Sequence, residues 1–102
     1  MKRTVAMIAA LAAVVLMTVA AQAAGKGEQI FKEKCTMCHV VKGQGGRIGP
    51  DLTRIAAKLK EKDIRMKLEN PKKSNPASAM PSFKTLPKAE MDALLGYLKT
   101  LK

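Results

Sequence analysis

The sequence predicts an all-α fold: a small domain of three to four helices joined by long loops. Three observations carry this. Apolar residues recur at the 3.6-residue period of a helix in the segment before Cys35, in the middle of the chain and at its C-terminus. No stretch alternates apolar and polar residues as a half-buried strand would, and glycines and prolines gather between the periodic segments. Neither an internal repeat nor a domain-sized linker divides the chain.

The N-terminus is set apart from this pattern. Lys2 and Arg3 precede an uncharged apolar run from Val5 to Ala21, and Ala21-Gln22-Ala23 has the small-x-small form of a signal cleavage site. The run is shorter than the ~20 apolar residues of a spanning helix and is rich in weakly hydrophobic alanine. Residues 1–23 are therefore expected to be a cleaved secretory signal, and residues 24–102 one domain of an exported, periplasmic or extracellular protein.

Within that domain, Gly27 to Cys35 reads as a helix with Ile30, Phe31 and Lys34 on related turns. Gly43 to Pro50, "GQGGRIGP", holds four of the seven glycines and is expected to be loop. From Leu52 to Glu69 the helical period returns in Ile55, Leu59, Ile64 and Leu68, and Asn70-Pro71 ends it. Asn70 to Phe83 carries three prolines and is expected to run extended over the surface. Met91, Leu94, Leu95, Leu98 and Leu101 then fall on one face of a last helix.

A domain of this size stands near the limit at which an apolar core alone holds a fold. With no tryptophan, one tyrosine and two phenylalanines, the core is short of large rings, and a bound group would make up the difference. Charge bears on partners. Without Lys2 and Arg3, 17 basic residues face 8 acidic ones, a formal charge of about +9. The basic residues are scattered from Lys26 to Lys102, with neither the dense runs nor the interleaved aromatics of a nucleic-acid surface. An acidic protein partner or an anionic surface fits better.

Both cysteines and the single histidine lie within "CTMCH", Cys35 to His39. A structural zinc site wants four ligands, and this motif exhausts the supply at three. A thioredoxin-like pair needs a βαβ setting that the pattern lacks. A plain disulfide suits an exported chain but leaves His39 and the thin core unexplained. C-x-x-C-H is the signature of covalent haem attachment. Two intervening residues place both sulfurs on one turn, where they can add to the two vinyl groups as thioethers, and the adjacent imidazole can ligate the iron. The haem then supplies the flat apolar body the core lacks.

With no second histidine, the other axial position falls to Met37, Met66, Met80, Met91 or a lysine. Met37 lies within the attachment turn and cannot cross the ring. Met66 and Met91 sit in helical patterns, where methionine serves as adaptable core filler. Met80 precedes Pro81 in an extended loop, a setting that keeps the backbone out of helix and can hold a thioether inward.

These segments together resemble the class I c-type cytochromes over essentially the whole of residues 24–102. The carriers are "GEQIFKEKCTMCH" with Gly27 and Phe31, "GPDL" at Gly49 to Leu52, "NPASAMPSF", and "AEMDALLGYLKTL" with Tyr97. The resemblance implies one haem c held by thioethers at Cys35 and Cys38, with His39 as proximal and Met80 as distal iron ligand. It implies further that the Pro50 carbonyl accepts a hydrogen bond from His39, and that Gly27 and Phe31 meet Tyr97 where the first and last helices cross. Many family members place a tryptophan near the propionates, and this sequence has none; Arg47 or Arg54 is the candidate expected to take that role here.

The expected function is one-electron transfer between redox proteins, as a monomer that is not an enzyme and whose membrane contact is at most peripheral. Lys34, Lys42, Lys72, Lys73 and Lys84 adjoin the haem-binding segments in sequence and are expected to guide an acidic partner. The alternatives are a ligand-binding or peroxidase-like haem protein from which Met80 dissociates, and a haem subunit of a larger respiratory complex.

Overall fold

The computed structural model describes residues 25–102. The expected signal segment over residues 1–23 lies outside them. Helix α1 runs over 25–34 and is followed by a small antiparallel hairpin, β1 at Val40–Val41 and β2 at Gln44–Gly45, with Val40 opposite Gly45 and Val41 opposite Gln44. Four further helices complete the chain: α2 at Ile55–Lys58, α3 at Glu61–Glu69, α4 at Pro71–Ser74 and α5 at Lys88–Leu98. No described helix is long and apolar enough to cross a membrane.

The architecture is the predicted all-α domain, but with five helices and a two-residue hairpin in place of three to four helices and plain loop. Lys42 and Gly43, at φ 52° and 80°, are the central residues of the hairpin turn. Positive φ at both is what a two-residue connection between right-twisted strands requires. With only two residues in each strand, no alternation could announce it.

The single helix expected over Leu52–Glu69 is two. Leu59 and Lys60 are extended, at ψ 146° and 158°, and separate α2 from α3. Charge marks the break: Lys58 ends α2 where the helix dipole favours a cation, and Glu61 and Asp63 begin α3 where it favours anions. The Lys60 carbonyl accepts from the N–H groups of Asp63 and Ile64, which starts the new ladder. The offset brings Ile55 and Leu59 onto the same core as Ile64 and Leu68, which one straight helix would splay apart.

Asn70-Pro71 ends α3 as expected, yet Pro71 also opens the single turn α4. Proline suits a first helical position because its missing N–H would have no partner there. The remainder, Asn75 to Phe83, is irregular.

The core joins Ile30, Phe31 and Cys35 of the first segment to Ile64 and Leu68 of α3 and to Met91, Leu94, Leu95, Leu98 and Leu101 at the C-terminus. Leu94 and Leu95 are almost wholly enclosed. Helices α1 and α5 meet as expected: the Phe31 and Tyr97 rings lie 5.4 Å apart, tilted at 54°, the oblique geometry aromatic pairs favour. A Cβ at Gly27 would strike the Ala93 carbonyl and stand 2.9 Å from the Tyr97 Cβ, so only a residue without one allows this approach.

Gly96 lies on the same α5 helix, exposed and with open space around its would-be Cβ. The two glycines should therefore respond oppositely to alanine. Gly27→Ala is expected to destabilise the fold by about 1–3 kcal/mol through overpacking, and Gly96→Ala to stabilise it by about 0.5–1 kcal/mol through helix propensity. Denaturant unfolding followed by circular dichroism measures both, and a loss of stability in Gly96→Ala would contradict the open site.

Candidate functional site

The end of α1 builds the attachment turn. The Cys35 N–H donates to the Phe31 carbonyl (2.8 Å), and the Cys38 and His39 N–H groups both donate to the Cys35 carbonyl (3.1 and 2.9 Å). The Thr36 hydroxyl donates to the Lys32 carbonyl and caps an open acceptor at the helix end. The chain thus coils through one further turn, which sets Cys35 and Cys38 together and lets His39 leave it. Cys35 is buried and Cys38 half-buried, both as free thiols. Burial, reinforced by Cys38 and opposed by Lys34, pushes the Cys35 thiol up to about 11. Such a site disfavours the thiolate and suits an uncharged sulfur.

The His39 ring is held from two sides. Its Nδ1 lies 2.8 Å from the Pro50 carbonyl oxygen, eleven residues on. A carbonyl can only accept, so Nδ1 carries the proton and Nε2 keeps its lone pair for a metal. A Cβ at Gly49 would stand 2.5 Å from Cε1 and 2.8 Å from Nδ1 of the ring, so the imidazole lies directly against a residue that must be glycine.

Met80 comes to the same place from the irregular segment. Asn75 accepts from the Ala77 N–H, and the Ser78 hydroxyl accepts from the Met80 N–H, two local turns that shape the approach. Beyond Pro81, the Ser82 hydroxyl donates to the Glu69 carbonyl and the Phe83 N–H to the Leu68 carbonyl (2.8 Å), which ties the loop to the end of α3. Met80 is held half-buried against the core between these anchors.

Two cavities meet at these residues. One of ≈ 340 Å³ is lined by Cys35, Cys38, His39, Ile48, Pro50, Met80 and Phe83 among others. The other, of ≈ 380 Å³, is lined by His39, Pro50 and Met80 together with Leu52, Ile55, Leu59, Ile64, Leu68 and Leu98. Sharing His39, Pro50 and Met80, they are two lobes of one cleft, each of the size cofactor sites occupy. Thiols on one rim, a bare imidazole nitrogen, a thioether and an aliphatic wall form a donor set and a surface that fit a haem.

The four site residues expected from the sequence are thus brought to one cleft, and Met37, Met66 and Met91 are not. Met37 is exposed, Met91 is buried in the core, and Met66 lines a separate basic cleft that Met80 also borders. The aliphatic wall and Ile48, which is 78% exposed, were not among the residues anticipated for the site; apolar residues in helical patterns look the same whether they face a core or a cofactor. Arg47 and Arg54 are exposed and line neither lobe.

A family model described as Cytochrome c matches residues 24–102. The chain belongs to the cytochrome c family. Membership brings covalently attached haem c as its cofactor and haem-based electron transfer as its class of chemistry. The cytochrome c-553-like protein of Synechocystis sp. is 35% identical over 78 residues, 76% of this chain and 69% of that protein. Cytochrome c of Arabidopsis thaliana is 35% identical over 78 residues, 56% of this chain and 70% of its own length. Cytochrome c oxidase subunit 2 of Alkalihalophilus pseudofirmus is 32% identical over 88 residues, and this cytochrome c-family chain, matched over 78% of itself, spans only 26% of that subunit.

Proposed function

We propose that this chain is an exported monohaem cytochrome that carries single electrons between redox proteins and catalyses no reaction of its own. In this reading Cys35 and Cys38 would hold the haem by two thioethers, and His39 and Met80 would be the ligands of its iron. The observation that carries it is the convergence of all four on one cleft, with the His39 proton placed on Nδ1 by Pro50 so that Nε2 is free for iron. The bound haem supplies an iron that cycles between the ferric and ferrous states.

The protein's own groups account for the rest. The Pro50 carbonyl raises the basicity of His39 and fixes its ring orientation. A thioether from Met80 alongside the His39 imidazole would favour the reduced state and raise the potential. With His39 and Met80 both committed to the iron, no ligand position would be left for a substrate, and the aliphatic wall would exclude water from the cleft. Support for export comes from the signal-like N-terminus, and the family match begins at Ala24, the residue placed first after the cut.

Mass spectrometry tests this directly. Protein made with the haem-attachment machinery should retain one haem after denaturation and begin at Ala24, and Cys35→Ala and Cys38→Ala should each leave a single thioether. A haem-free product with a Cys35–Cys38 disulfide would overturn the reading.

One observation favours a second reading, a haem domain working inside a respiratory complex: the likeness to an oxidase subunit of which this chain matches about a quarter. Purification from the native host separates the two, since a free carrier elutes as a monomer and a docked domain co-elutes with its complex.

A further inference from the structure

Four contacts stitch the residues after the attachment turn to the residues around Pro50, and both segments ascend together. The Gly49 N–H donates to the Cys38 carbonyl (2.6 Å), His39 Nδ1 to the Pro50 carbonyl (2.8 Å), the Leu52 N–H to the Val40 carbonyl (2.8 Å), and the Lys42 N–H to the Thr53 hydroxyl oxygen (2.9 Å). The last differs in kind. Lys42 has a left-handed φ of 52° at the hairpin turn, and its N–H finds its acceptor in a side chain outside the hairpin.

That side chain is itself aimed. Asp51 Oδ1 accepts from the Thr53 hydroxyl and from the Thr53 N–H (2.8 Å). With the hydroxyl proton committed to the carboxylate, an oxygen lone pair is left for Lys42. The Thr53 hydrogen bonds in turn hold Asp51 below the usual carboxylate range, so the acceptor stays ionised and strong. Pro50 stands one residue before this cluster. Having no N–H, it cannot anchor itself, and the position of its carbonyl depends on the ties to either side.

We propose that Thr53 and Asp51 are positioning residues for His39: their clamp on the Lys42 N–H holds the Pro50 carbonyl against Nδ1 and thereby tunes the ligand. Neither touches His39. The inference rests on the reading of His39 as an iron ligand and adds to it a control that reaches the ring through Pro50. Loosening the clamp lets the Pro50 oxygen drift, weakens the pull on the Nδ1 proton and leaves a less basic imidazole, so the potential rises.

The test uses the ferrous holoprotein, with exchange of the His39 Nδ1 proton followed by nitrogen-15 NMR and the midpoint potential by titration. Thr53→Val keeps the shape and removes the hydroxyl; it should speed exchange roughly five- to tenfold, the effect of one lost hydrogen bond, and move the potential upward. Thr53→Ser restores the hydroxyl and should restore both. Asp51→Ala alters an exposed residue and so leaves the fold standing; it should shift both in the same direction by less. Thr100→Val removes a hydroxyl bond to the Tyr97 carbonyl (2.6 Å) in the C-terminal turn, and should move neither. Wild-type exchange and potential in both Thr53→Val and Asp51→Ala would overturn the proposal, as would equal shifts in Thr100→Val. A wild-type protein whose iron is not bound by His39 would show in its ligand spectrum and overturn both the proposal and the reading beneath it.

Discussion

Met80→Ala is expected to abolish the thioether-to-iron charge-transfer band of the ferric protein and to lower the midpoint potential by on the order of 100 mV, a fraction of the about 0.8 V that axial ligation spans in haem proteins. The direction follows from chemistry: a thioether stabilises ferrous iron, and water or hydroxide in its place does not. The structure supplies the controls. Met91 is buried in the core between α5 and its neighbours, and Met66 faces a cleft lined by Lys62, Arg65 and Glu69. Leucine nearly conserves methionine's volume, so Met66→Leu and Met91→Leu should fold and keep the band. Its retention in Met80→Ala would place another group on the iron.

The second large effect is in kinetics. The cleft of ≈ 620 Å³ beside Met80 is lined by Lys62, Lys72, Lys73 and Lys84, none of which forms an ion pair among the described residues. Arg65, also on this cleft, is held by Glu69 and Asp92. Lys34 adjoins the lobe that holds the cysteines, whereas Lys42 lines a different cleft, beside Phe31 and Tyr97. We propose that the free lysines steer an acidic partner toward the Met80 side. The second-order rate with such a partner should then fall about tenfold or more between about 10 mM and about 150 mM salt, as the screening length shrinks from ~30 Å to ~8 Å. Exchange with a neutral reagent should change by less than about twofold over the same range. Replacing Lys72, Lys73 and Lys84 together by glutamine should flatten the salt dependence, and replacing Lys42 should not. A salt-independent rate in the unmodified protein would reduce the charge to a solubility feature.

What the sequence determined by itself was whatever its chemistry expresses over a few residues. Two thiols and an imidazole within five positions admit few uses, and one helical turn is enough to bring them together. Met80 was distinguished from its competitors by a proline on one side and the absence of helical period on the other. The apolar face of α5 and the stop at Pro71 were legible for the same reason, because period and proline act locally.

The tertiary structure decided everything that depends on two remote segments sharing a register. The break at Leu59 and Lys60 forms because α2 and α3 must both turn their apolar residues to one core; the five-residue step from Leu59 to Ile64 and the change from Lys58 to Glu61 mark it in the sequence, but only the shared core shows that the chain turns there. The family resemblance implied the contact of Pro50 with His39, but no spacing in the chain requires it; it exists because residues 38–42 and 49–53 lie side by side. The clamp of Asp51 and Thr53 left a faint local mark, an Asp two residues before a Thr as in an Asx turn, yet its target, the Lys42 N–H, appears only once the hairpin has set that residue at positive φ. Likewise, lysines adjacent in sequence to the haem-binding segments parted in space, Lys72, Lys73 and Lys84 to the Met80 side and Lys42 elsewhere. Local chemistry is written along the chain, whereas a hydrogen bond between distant segments is fixed only when packing has chosen which residues stand opposite each other.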